Sequence, residues 1–361
     1  MHLSRSDQKL LLVCTRQQFT DSHRQTVYAI GTQASVNWDA IYETATIHGV
    51  ASLVYTNLQQ CPDLTIPAEI ETQFRQAEFR NILQKERNFQ NLSKALAFFA
   101  EKSLDVMVIK GGALDILVYD QPYYTTLLDV DLVIKVHRRD VSDAEYQQFR
   151  HVFHRTGLEF DYFEHHDILM NGTLPVDFEQ IWRDATPIDW RGHTLYSMAP
   201  EDMLIASCIN SCRKRYFRLK ALCDIAEIIN KHPDLDWTTF IRKVKQYDCC
   251  AIVFTALRVT QMTVECTLPD HVLRNLGVDP IRSALIQFLC RHTTFDAFLS
   301  LHTGKQVMNR KLDPSLILSY VTLELYQVWR RLKFIMLYEQ GEQPRTLQLP
   351  FKLPRKAIAP K

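Results

Sequence analysis

The chain has 361 residues, with 42 Lys and Arg against 41 Asp and Glu and a formal net charge of +1. That balance argues against a protein that holds nucleic acid through overall charge, while leaving room for a local basic patch. A hydrophobic fraction of 46% and a charged fraction of 23% are ordinary for a globular fold, and the length suits two domains or one with helical extensions.

No apolar run approaches the roughly 18 residues of a membrane span, and the run at residues 10–13 is too short for a signal-peptide core. The nine cysteines lie mostly in apolar, helix-like segments, with no Cys-x-x-Cys pair and no zinc spacing. They are expected to be reduced, buried thiols of a cytoplasmic protein.

Residues 7–103 carry helical patterns. Leu10, Leu11 and Cys14 begin a short helix; Trp38, Ile41, Tyr42 and Ala45 mark a second, ending near His48-Gly49. Between 68 and 100, Ile70, Phe74, Ala77, Ile82, Phe89, Leu92, Leu96 and Phe99 recur at helical spacing. One long helix or two consecutive ones are predicted there, with Gln73, Arg80, Lys85 and Glu86 on the opposite side. A mixed region, 104–197, follows. It reads as a buried strand at 106–109, a helix at 113–119, a second strand at 129–136 and a helix at 141–156. Asn171-Gly172 between apolar runs predicts a hairpin over 168–178, with Pro175 suggesting an edge position or a bulge. A further extended pair surrounds Arg191-Gly192. From Pro200-Glu201-Asp202, a good helix start, the chain reads as helical to about residue 340. A proline-spaced, basic tail, 341–361, closes it. The fold class is α+β: a helical region 1–103, a small mixed-sheet core 104–197 and a helical domain 198–340.

The chemistry concentrates near the middle. Asp129 and Asp131 alternate with Val130, Leu132 and Ile134, so the two acids share one face of a strand while the apolar residues anchor it. Two like charges side by side call for a cation between them, and a divalent metal suits best. Lys110-Gly111-Gly112 stands between a strand and a helix, where glycines let backbone N–H groups approach an anion. Asp177, flanked by Val176 and Phe178 on the expected hairpin, would bring a third carboxylate. Together these suggest chemistry on a nucleoside triphosphate with two Mg²⁺ ions. His165 and His166, adjacent on a strand, point to opposite faces and read as ordinary strand residues; Asp115 and Asp120 read as surface acids. In the basic run from Arg213 to Lys220, Lys214 and Arg218 are four apart and would share a helix face. From the residues alone that face reads as a solvated surface with a Lys220–Asp224 pair or as an RNA-phosphate patch.

The order Lys110-Gly111-Gly112, Asp129-Val130-Asp131-Leu132-Val133, Val176-Asp177 resembles the DNA polymerase β-like nucleotidyltransferase superfamily, and within it the uncharacterised bacterial nucleotidyltransferases. The resemblance covers about residues 7–230 and takes in residues 10–14, Trp38, His48-Gly49-Val50, Pro67 and Asp224-Ile225-Ala226. It implies a small mixed-sheet nucleotidyltransferase core. It also implies transfer of a nucleoside monophosphate from an NTP, ATP first among them, to an acceptor hydroxyl with release of pyrophosphate. The acceptor would be a small molecule, a peptide or a protein, with nucleic acid disfavoured. Asp129, Asp131 and Asp177 would hold Mg²⁺ or Mn²⁺, and Asp177 would also help deprotonate the acceptor. Gly111 and Gly112 would cradle the triphosphate, with Lys110, Lys214 and Arg218 near its phosphates. Two positions depart from the family pattern: Thr125 stands where an arginine is usual, and Glu179 where a histidine is usual. They motivate two alternatives on the same fold, a non-catalytic nucleotide-binding or scaffold protein and a kinase-like phosphotransferase.

Overall fold

The structure, a computed structural model, describes residues 3–292 apart from 155, 163–173, 215, 217 and 265. The first arm and the Asn171-Gly172 turn of the expected hairpin, the His165-His166-Asp167 run and everything after residue 292 lie outside the described residues.

Five helices precede the sheet: α1 (Arg5–Val13), α2 (Asp21–Gly31), α3 (Trp38–His48), α4 (Ala51–Leu58) and α5 (Ala68–Glu101). Ser4 and Asp7 close a reciprocal capping box that starts α1. Helix α5 is one continuous helix of 34 residues. Two of the five were not expected, for different reasons. Helix α2 buries only Val27, Ile30 and Gly31, too thin a stripe to read. In α4 all but one residue is buried, so it shows no periodicity at all.

The sheet has five strands: β1 (Val106–Ile109), β2 (Val130–Ile134), β3 (Leu158–Tyr162), β4 (Thr186–Trp190) and β5 (His193–Ser197), in the order β3-β2-β1-β5-β4. It is mixed: β1 runs antiparallel to β2 and parallel to β5, β2 parallel to β3, and β4 antiparallel to β5. The β4–β5 hairpin turns on Arg191 and Gly192, both at positive φ (50° and 78°), the two-residue geometry that suits strand twist. Helices α6 (Lys110–Leu117), α7 (Asp143–Phe153) and α8 (Phe178–Arg183) join the strands. Six helices follow: α9 (Pro200–Arg213), α10 (Leu219–Lys231), α11 (Trp237–Gln246), α12 (Cys250–Val264), α13 (Asp270–Asn275) and α14 (Pro280–His292).

The two faces of the sheet feed two cores. Val106, Val108, Val130, Leu132 and Ile134 pack with Phe89, Leu92 and Phe99 of α5 and Phe149 and Phe153 of α7. Met107, Ile109 and Val133 join a larger core shared by helices from both ends of the described chain. Because strand side chains alternate, Asp129 and Asp131 lie on the Val133 face, toward that shared core. All nine cysteines are free thiols, eight of them buried. Among the described residues no helix is long and apolar enough to cross a membrane.

The structure corrects four expectations. Helix α6 begins at Lys110, not at 113, so both glycines lie in its first turn. Lys85 and Asp115, expected on solvent-facing sides, are both buried. The basic run is not one helix: Arg213 ends α9, Tyr216 turns the chain at φ 63° and Leu219 begins α10. Asp177 is not on a strand; it is the N-cap of α8.

Candidate functional site

The connection from α6 to β2 carries no regular structure, yet much of it is buried, and its carbonyls need donors. Helix α5 supplies them from one row of side chains. Asn81 Nδ2 donates to the carbonyls of Tyr123 (2.6 Å) and Thr125 (3.2 Å), and Asn88 Nδ2 to that of Leu128 (3.3 Å). Between them, Lys85 donates to the Pro122 carbonyl and pairs with Asp115 on α6 at 2.7 Å. One ammonium thus ties α5 both to the glycine-bearing helix and to the loop that leads to Asp129. Burial pushes Lys85 down to about 8 and Asp115 up to about 6, against their mutual attraction.

The register of β1 and β2 sets Asp131 opposite Ile109. The next residue, Lys110, turns at φ 51° and places its Nζ 2.5 Å from Asp131 Oδ1. Burial raises the Asp131 carboxyl; Lys110 opposes that, and the charges of Asp129 and Glu159 add to it. Glu159 sits opposite Asp131 on β3. It is an acid beside the pair that sequence reasoning missed, although the alternation Leu158-Glu159-Phe160 resembles that of β2. The glycines answer first to packing. A Cβ on Gly112 would lie 2.8 Å from Val130 Cγ1 and 3.2 Å from Val108 Cγ2, and one on Gly111 would lie 2.7 Å from Leu127 Cδ1. Their absence of side chains lets α6 lie close on the strands that carry the acids.

The α9–α10 junction brings positive charge within electrostatic range of Asp129. Lys214 is the C-cap of α9 and Arg218 the N-cap of α10. They do not share a helix face, but the chain reversal at Tyr216 keeps them together. Partial burial lowers the Lys214 ammonium, the charges of Arg218, Arg213 and Lys110 lower it further, and Asp129 counters them. Lys110, Asp129, Asp131 and Lys214 thus share one electrostatic neighbourhood, with Arg218 acting on Lys214 beside it. The His48-Gly49 turn braces this junction. His48 Nδ1 accepts from Leu219 N (3.0 Å), and the Gly49 carbonyl accepts from Thr126 N (2.9 Å). Gly49 is in the left-handed region (φ 75°), and a Cβ there would lie 3.5 Å from both Arg218 Nη2 and Thr126 Cβ. Thr125 itself is buried, with its carbonyl held by Asn81 of the α5 clamp.

Behind α6, Lys220 pairs with Asp224 at 2.8 Å, as the spacing of four suggested, and Tyr119 Oη donates to Asp224 Oδ1 at 2.7 Å. Both residues of the pair are largely buried. A small cavity there is lined by Lys110, Gly111, Leu114, Ser207, Asn210 and Asp224.

Asp177 belongs to a different setting. Its Oδ1 accepts from Gln180 N (3.0 Å) and caps α8, and its Oδ2 lies 3.8 Å from Arg183. Glu179 is largely exposed and also faces Arg183, at 3.7 Å. The far end of α8 is anchored by Asp184, which shares the buried Lys243 with Asp202. Among the described residues no three His, Cys, Asp or Glu side chains are grouped to hold a metal ion. The Asp129–Asp131 pair by itself fits a hard divalent cation. Mg²⁺ takes one or two carboxylates and fills its remaining positions from substrate phosphate and water.

No curated protein and no solved structure matches the chain. A family match does exist, over residues 34–265, from just before α3 through α12. It begins and ends later than the stretch on which the sequence resemblance was read, and it contains all five strands, both acids of the pair and the cations that face them. The chain belongs to this family, described as an uncharacterised nucleotidyltransferase.

Proposed function

We propose that the protein is a metal-dependent nucleotidyltransferase. It moves a nucleoside monophosphate from an NTP, with ATP as the first candidate, to an acceptor hydroxyl and releases pyrophosphate. The observation that carries this reading is the gathering of two carboxylates at the start of β2 with Lys110, which pairs with Asp131, and with the cationic α9–α10 junction, where Lys214 feels the charge of Asp129. Asp129 and Asp131 would hold Mg²⁺ or Mn²⁺. When bound, the ion would neutralise phosphate charge and polarise the reacting phosphorus. Lys214 and Arg218 contribute fixed positive charge for the triphosphate from the α9–α10 junction. Lys110 contributes a third cation, and the backbone N–H groups of Gly111 and Gly112, in the first turn of α6, are the donors proposed for the triphosphate. Asp177, a cap residue, stands outside the core of this reading and is kept as a position to test.

Incubation with α- or γ-labelled ATP, GTP, CTP or UTP, Mg²⁺ and a panel of small-molecule, peptide and protein acceptors tests the reaction class. Pyrophosphate release with transfer of α-label is the expected result. ADP release with transfer of γ-label would replace it with a kinase-like phosphotransferase. Tight NTP binding with no turnover across the panel would favour a nucleotide-binding scaffold.

A further inference from the structure

We infer that Lys110 is a built-in counter-cation of the carboxylate pair, one that a divalent metal must displace and that then turns to the triphosphate. This rests on the metal-dependent reading above and adds to it an order of events at the site. Lys110 Nζ occupies Asp131 at 2.5 Å, with both side chains about four-fifths buried. A metal ion on Asp131 and an ammonium on the same oxygen compete for one place. The backbone is arranged to put the ammonium there. The register pairs Ile109 with Asp131, and Lys110 is the next residue. It takes the left-handed conformation at φ 51° although two glycines follow it directly, residues that would hold that conformation without strain. A lysine is thus kept in a costly backbone position from which its head reaches the acid.

Two consequences have opposite signs. With no metal, Lys110 lowers the repulsion between Asp129 and Asp131 and closes the site. The apparent metal affinity is then reduced by the fraction of molecules in which Lys110 has let go. Once displaced, the same ammonium is repelled by Lys214, which Arg218 also repels, and an arriving triphosphate relieves the crowding of the three cations.

The test is Mn²⁺ binding alone, followed by electron paramagnetic resonance or calorimetry, and then ATP binding at saturating Mn²⁺. Lys110→Met should bind Mn²⁺ about tenfold more tightly than the parent and ATP about tenfold more weakly. Lys110→Gly, which relieves the left-handed strain, should behave alike and guards against a folding failure of the first variant. Lys110→Arg should keep the parent's weak Mn²⁺ binding. The Asp129→Asn/Asp131→Asn double variant separates the levels of failure. If it abolishes Mn²⁺ binding while the Lys110 variants bind no more tightly than the parent, the counter-cation role is wrong and the metal site stands. If it leaves Mn²⁺ binding unchanged, the metal reading fails and this inference with it. Tighter Mn²⁺ binding with unchanged ATP affinity would overturn the hand-over to the triphosphate.

Discussion

Asp131 and Asp177 look alike in sequence, an acid between two apolar residues, yet they end in opposite environments. Asp131 lies within a central strand, flanked in the sheet by β1 and β3, largely buried and paired with Lys110. Asp177 sits at the head of a six-residue helix, half exposed, with its carboxylate spent on a backbone N–H. What separates them is the continuation of the pattern. After Asp131 the alternation runs on through Leu132, Val133 and Ile134, long enough to make a strand. After Asp177 come Phe178, Glu179 and Gln180, an N-cap acid with a glutamine at the third helical position, which is a helix-start signature. An acid in an apolar setting is therefore not yet a strand acid; the three residues after it decide.

The contrast is open to breaking. Asn at both 129 and 131 should lower turnover at least about a hundredfold, the scale of losing one preorganised charge-stabilising group, whereas Asp177→Ala should leave it within about threefold. Steady-state assays with the NTP that turns over give both values. Loss of turnover in Asp177→Ala with an unchanged melting temperature would place that acid at the reacting centre after all.

Next in size is the clamp that makes the buried setting. Lys85→Met strands the Asp115 carboxylate and should cost about 3–5 kcal/mol in denaturant unfolding. Lys85→Met/Asp115→Leu, which removes both charges, should recover most of that loss. The same pair has a pH signature. Burial lowers Lys85 from 10.5 to about 8, so between those values the unfolded chain holds more protons and this group makes stability rise with pH. Asp115 is raised from 3.8 to about 6, so across that window the folded chain holds more protons and stability falls as pH rises. Both slopes should vanish in the double variant, and unfolding curves across the two windows measure them.

Gly112→Ala places a methyl group 2.8 Å from Val130 Cγ1 and should destabilise by about 1–3 kcal/mol. Asp177→Ala loses only a helix cap, about 1 kcal/mol in the same measurement. Should Asp177→Ala prove the more damaging of the two to stability, the α8 end would be the more tightly built region.

Much of the sheet was legible because its signals are local. The alternation at 129–134, the Arg191-Gly192 turn and the proline-acid start of α9 each carry their own physical cause. The clamp was not legible. Lys85 and Asp115 are charged, and charged residues at the polar side of a helical stripe ordinarily face water; here Lys85 turns inward to the Pro122 carbonyl and to Asp115, which meets it from α6. The break in the basic run was hidden for another reason. Tyr216 takes positive φ with neither glycine nor proline to mark it, and it is held there by complete burial. Of the candidate site, the shared face of Asp129 and Asp131 was readable from spacing; the pairing of Lys110 with Asp131 was not, because it depends on the β1–β2 register. Their meeting with Lys214 and Arg218 depends on that unmarked reversal.

The central claim is that the acid pair and the α9–α10 cations form one triphosphate site. Equilibrium binding of α,β-methylene-ATP in the presence of Mn²⁺ tests it most directly, comparing the parent with Lys214→Ala/Arg218→Ala and with Asp129→Asn/Asp131→Asn. Loss of at least about tenfold in affinity in both variants, with folding intact, is the predicted result. Parent-like affinity in either variant would contradict the claim, because one half of the proposed site would then take no part in holding the nucleotide.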